Sequence, residues 1–68
     1  MNKIKINTEI IKLDAFLKWA AIVGSGAEAK IHIQDGLVKV NNEICIQRGK
    51  KLRAGDIVSF EDSDFEIV

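Results

Sequence analysis

The sequence predicts an α+β fold, a tight helix pair packed on a small, mainly antiparallel β-sheet. Three observations predict it. Apolar residues recur at helical spacing between Leu13 and Ala21, and a second helical segment runs from a capping serine, Ser25, to Gly36. Beyond Gly36 the chain alternates with period two and is punctuated by turn-forming residues.

The elements follow in order. Ile4 and Ile6 alternate with Lys3, Lys5 and Asn7, a short strand with one buried face. Leu13, Phe16, Leu17, Ala20 and Ala21 form the stripe of the first helix, with Asp14 complementing the helix dipole in its first turn and Val23-Gly24 expected to close it. Ser25-Gly26-Ala27-Glu28 reads as a capping box, the Ser25 hydroxyl accepting from the Glu28 amide while Glu28 reaches back. The second helix then runs to about Asp35, with Ala29 and Ile33 inward, Ile31 in solvent and Gly36 placed for a left-handed cap. On this reading about one residue separates the helices, which requires a sharp angle between them.

In the β half, Val38 and Val40 face one way and Lys39 the other. Asn41-Asn42 tolerates the positive φ of a tight hairpin turn. Ile44 and Ile46 are expected to resume the inner pattern, with Cys45 half-buried on the other face. Arg48 to Arg53 reads as a rigid loop. Ala54-Gly55-Asp56 then turns the chain into Ile57-Val58-Ser59-Phe60, and a polar turn leads to a last strand, Phe65-Glu66-Ile67-Val68.

Sixty-eight residues, 47% hydrophobic and 29% charged, suit one domain spanning residues 1–68 with a small core. No apolar run approaches the roughly 20 residues that span a bilayer. The first residues are basic but lack the apolar centre of a secretory signal. A single cysteine, Cys45, forms no internal disulfide, which fits a reducing cytoplasm. With no large apolar interface evident, a monomer is expected.

Charge carries the first functional signal. The formal net charge is zero, yet Arg48-Gly49-Lys50-Lys51-Leu52-Arg53 packs four cations into six residues. Residues 1–60 hold all ten Lys and Arg and a net +4, while Glu61, Asp62, Asp64 and Glu66 give the last eight residues −4. A cation cluster of this density repels itself and is stable when solvated or when it faces an anion, and phosphate is the commonest biological choice.

The pattern Lys12-Leu13-Asp14-Ala15-Phe16-Leu17, then Ser25 to Lys30, Gly36-Leu37-Val38-Lys39-Val40-Asn41 and Arg48 to Asp56 resembles the S-four RNA-binding domain, over about residues 12–60. That domain is named for a small-subunit ribosomal protein and also occurs in tyrosyl-tRNA synthetases and pseudouridine synthases. The whole chain looks like its stand-alone bacterial form. The resemblance implies a non-catalytic module that binds structured RNA, ribosomal RNA or assembly intermediates, through the helix pair and the basic loop. Carried over by position, the RNA-binding residues are Lys12, Lys30, Arg48, Lys50, Lys51 and Arg53. One departure stands out. Many members carry Ser-Arg-Ser at the start of the second helix, where this chain has Ser25-Gly26-Ala27, so the resemblance implies either weaker binding or more reliance on the helix's own amide donors to meet a phosphate.

Other candidates weigh less. Trp19 projects about 20° from Lys12 and about 120° from Leu13 around the helix. It either covers the core edge, the preferred reading, or stacks on a base. His32 lies on the rim of the buried face, and with one His and one Cys there is no metal-ligand set and no cofactor is implied. Asp14 and Asp56 suit capping and turn roles, and nothing pairs a nucleophile with a base, so no enzyme activity is expected. The hairpin and the 54–58 turn also look like a sulfur-carrier β-grasp module, a protein-interaction alternative. This chain ends Glu66-Ile67-Val68 and lacks the carrier's terminal Gly-Gly.

Overall fold

A computed structural model describes residues 1–68 and has the expected α+β architecture. The chain runs β1 (Asn2–Ile4), β2 (Ile11–Lys12), α1 (Leu13–Trp19), α2 (Gly26–Gln34), β3 (Val38–Val40), β4 (Glu43–Ile44), β5 (Lys51–Leu52), β6 (Ile57–Phe60) and β7 (Ser63–Ile67). The main sheet has the order β1-β7-β6-β3-β4, and β2 and β5 make a separate ladder. All pairs are antiparallel except β1 with β7, where Asn2 lies opposite Phe65 and Ile4 opposite Ile67.

The core lies between the helix pair and one sheet face. Leu13, Phe16 and Leu17 of α1 and Ala29 and Ile33 of α2 are buried against Val38, Val40, Val58, Phe60 and Ile67. Each large side chain among them contributes about 1.5–3 kcal/mol by leaving water. Ile31 is exposed as its helical angle predicts.

Both helices end in one motif. At the end of α2, Gly36 has φ +75° and donates to the Ile33 carbonyl (3.1 Å), while Leu37 donates to His32 (3.1 Å). This paired closure satisfies carbonyls that the helix leaves free. At the end of α1, Ala21 has φ +58° and donates to Lys18 (3.0 Å), while Ile22 donates to Leu17 (2.9 Å). The first helix therefore stops at Trp19, not at Val23-Gly24. Residues 20–25 separate the helices, a longer link than the spacing suggested. The early turn delivers half-buried Ile22 and buried Val23 to the core. α2 starts as predicted, with the Ser25 Oγ accepting from the Glu28 amide (3.1 Å). The Glu28 carboxylate reaches back one residue further than a capping box requires, to the Gly24 N–H (3.2 Å).

Asn41 and Asn42 both have positive φ, and the hairpin pairs Val40 with Glu43 and Lys39 with Ile44. This register corrects the predicted faces. Residues directly opposite share a face, so Ile44 joins Lys39 on the outer side and Ile44 and Ile46 are 61% and 62% exposed. Cys45 is half-buried as expected but turns inward, packing on the core beside Val38, whose carbonyl accepts its amide (3.0 Å). At the other edge, Ile67 is fully buried and the Val68 amide donates to Ile4 (2.9 Å), so residues 67–68 are fastened to the sheet.

The two helix ends give paired outcomes. A left-handed residue with a Cβ costs about 1–2 kcal/mol. Ala21→Gly should recover up to about 1 kcal/mol after the flexibility of glycine is offset. Gly36→Ala should lose about 1 kcal/mol, since a Cβ there meets only ordinary contact, with the Ile44 Cγ2 at 3.7 Å. Urea melts of both variants check the opposite signs.

Candidate nucleic-acid interface

The basic run is only partly a loop. β5 pairs with β2 so that Ile11 faces Leu52 and Lys12 faces Lys51. Leu52 is fully buried and Ile11 packs on the same core, which leaves Lys12 and Lys51 exposed as direct cross-strand neighbours. Like charges in that relation repel. The burial of Leu52 and Ile11 holds them there, and an arriving anion relieves the repulsion.

α1 begins where this ladder ends. Its N-cap residue, Lys12, provides no side-chain cap. The Leu13 amide donates instead to the Lys50 carbonyl (2.9 Å) and the Asp14 amide to the Arg48 carbonyl (3.1 Å), while Asp14 Oδ1 accepts from the Ala15 amide (2.7 Å). The helix start is thus capped by the backbone of the basic segment, whose Arg48, Lys50 and Lys51 side chains are exposed. A turn from Gln47, whose carbonyl accepts from the Lys50 amide (3.1 Å), shapes the approach.

A polar clasp fixes the other end. Asn41 at the hairpin tip donates through Nδ2 to Asp56 Oδ1 (3.1 Å) and accepts the Ile57 amide at Oδ1 (2.9 Å), and Asp56 Oδ2 accepts the Arg53 amide (2.9 Å). The turn role expected of Asp56 is present. The part played by Asn41 was not legible, because its side-chain partners lie 15 and 16 residues away.

Of the six predicted binding residues, the structure joins Lys12, Arg48, Lys50 and Lys51 around the start of α1. Arg53 is exposed and flanks a shallow depression with Glu9, Ile10 and Ala54. Lys30 is exposed on α2, which packs on α1, and no backbone pairing links it to the β2–β5 ladder. No lysine or arginine head group takes part in the side-chain hydrogen bonds. At the start of α2 the Glu28 carboxylate, accepting from the Gly24 N–H (3.2 Å), sets an anion beside the first-turn amide donors.

Trp19 is 51% exposed and its indole N–H donates to the Lys5 carbonyl (2.8 Å), which fastens the link between β1 and β2 to α1. His32 stacks obliquely on Phe60, with ring centroids 5.0 Å apart and planes at 53°, a packing role on the core rim. No group of three or more His, Cys, Asp and Glu side chains converges to hold a metal ion. No helix is long and apolar enough to cross a membrane.

Two helices covering a short, mostly antiparallel mixed sheet make an α+β fold consistent with an S4 domain. Residues 4–68 match the S4 domain family, and the chain belongs to it. It is also 43% identical over 68 residues to a protein described as probable ribosome maturation protein RlbA from Bacillus subtilis (strain 168), covering 98% of this chain and 96% of that one.

Asn41→Ala removes both hydrogen bonds of the clasp and leaves a Cβ residue without an amide in a left-handed turn. The expected loss is about 2 kcal/mol. Urea denaturation measures it, and faster hydrogen exchange at the Arg53 amide should accompany it.

Proposed function

We propose that this protein is a non-catalytic, cytoplasmic, monomeric RNA-binding protein that recognises structured ribosomal RNA, including that of assembly intermediates. The observation that carries the reading is the ladder that sets Lys12 against Lys51, with Lys50 and Arg48 bonded through their backbone to the first turn of α1. Four exposed cations held on ordered backbone, with Lys30 and Arg53 assigned to the same function, offer contacts to the phosphates of a folded strand. Recognition is by shape and phosphate position, because A-form helices bury their major-groove base edges. Membership of the S4 domain family and the described role of the Bacillus relative support the ribosomal target.

The sulfur-carrier alternative draws no support from the fold.

Binding through three to six phosphates predicts that log K falls with log salt at a slope of roughly −2 to −5. Arg48→Ala with Lys51→Ala should weaken binding to ribosomal RNA fragments at least tenfold at moderate salt and make the slope shallower by about two. Filter binding across a salt series measures both. An unchanged affinity in the double variant refutes the assignment of the face.

A further inference from the structure

We propose that Trp19 is a stacking platform for one unpaired base of the bound RNA, at the far end of α1 from the Lys12–Lys51 ladder. The inference rests on the RNA-binding reading above and adds a nucleobase to its phosphate contacts.

The polar edge of Trp19 is already satisfied. Ile4 and Ile6 direct their backbone groups to Val68: the Ile4 carbonyl accepts from its amide (2.9 Å) and the Ile6 amide donates to its carbonyl (3.2 Å). The Lys5 carbonyl between them therefore faces the open edge of the sheet, and the Trp19 indole N–H donates to it (2.8 Å). A tryptophan at a surface ordinarily keeps its N–H in water and its ring against the protein. Here the N–H is bonded within the protein, yet 51% of the residue is exposed. What meets solvent is therefore aromatic ring. A ring fastened by its edge loses little freedom when a base stacks on it.

The ring shares an element with the cations. Lys12 caps α1 and Trp19 ends it, about 10 Å further along the axis. Ala15, one turn before Trp19 on the same side, is exposed and small, and Lys18 is exposed next to the indole in the chain. Asp14, the acid of α1, lies roughly 140° from Trp19 around the helix and accepts from the Ala15 amide. Residues 2–7 and 15–24 hold no acid, and Glu9 of the β1–β2 link lines a depression with Arg53. A strand whose phosphates rest on Lys12 and Lys51 thus follows α1 to the indole past lysines. Beyond Trp19 the sign changes. Ala20, Ala21 and Ile22 line a depression with Glu61 of the acidic β6–β7 turn, which repels phosphate and limits the track. The occupant is a base from a short single-stranded stretch, a loop or bulge beside the helix held on the ladder. Every base has a π-face, so the contact tolerates sequence and adds to recognition by shape.

The chain has one Trp and no Tyr, so its intrinsic fluorescence reports Trp19 alone. The test uses the full chain and two RNAs with one stem: a blunt duplex, and a hairpin closed by an adenine loop. The hairpin should bind roughly tenfold tighter than the duplex, the scale of one stacked base. It should also quench the indole emission, which the duplex at saturation leaves near its free value. Trp19→Leu and Trp19→Phe both lose the bond to Lys5, but only the second keeps an aromatic face. Trp19→Phe should keep most of the hairpin preference and Trp19→Leu should lose it, with duplex affinity and salt slope unchanged in both. The quench needs no variant, so it decides the matter even where loss of the tie unfolds Trp19→Leu. Equal affinity for the two RNAs, an unquenched indole in the hairpin complex, or equal losses in folded Leu and Phe variants overturns the platform and leaves the phosphate face intact. A Trp19→Leu protein that keeps the hairpin preference but no longer cosediments with ribosomal particles makes the ring a protein contact and also overturns it. Failure of the parent reading looks different, since wild-type protein would then bind neither RNA in a salt-dependent way.

Discussion

Two backbone hydrogen bonds organise the molecule, from the amides of Leu13 and Asp14 to the carbonyls of Lys50 and Arg48. The start of a helix leaves amide hydrogens without partners, and leaving one buried and unpaired costs about 1–3 kcal/mol. Lys12 cannot accept a hydrogen bond through its side chain, so the chain's own basic segment does so with its carbonyls. That exchange anchors a segment which would otherwise be driven apart by its own charge. It also sets the first helix, the β2–β5 ladder and the hairpin edge in one relation to each other.

The cationic face is therefore a by-product of good backbone accounting. Leu52 and Ile11 draw the ladder into the core, and the alternation of the strands leaves Lys12 and Lys51 no direction but outward. The price is like-charge repulsion between direct neighbours, which is modest in water and falls as salt rises. An RNA phosphate turns that unfavourable interaction into a favourable one, so part of the binding energy is stored in the unbound protein.

Local chemistry made much of this legible. The Ser25 and Glu28 spacing, Gly36, and the Asn41-Asn42 pair each announced a helix start, a helix end and a turn, because each residue type serves a conformation that others adopt at a cost. The end of α1 was hidden because Ala20 and Ala21 continue the apolar stripe, and alanine carries no sign of a left-handed turn. The faces of Ile44, Cys45 and Ile46 were misassigned through parity: a two-residue turn sets Lys39 opposite Ile44, which reverses the apparent pattern. In the site, the run 48–53 was visible as charge. Its attachment to Lys12 required Leu52 to be read as a core residue, and the bond between Asn41 and Asp56 has no local signature.

The parallel pairing of β1 with β7 bears on how the molecule is made. Asn2 meets Phe65, so the contact spans nearly the whole chain and completes the sheet only after every other strand exists. Closing so long a loop costs roughly 2 kcal/mol more than closing a hairpin of a few residues. During synthesis the helices and the β3–β4 hairpin can form early, but the N-terminal strand waits, its edge unpaired, until residues 63–67 emerge from the ribosome.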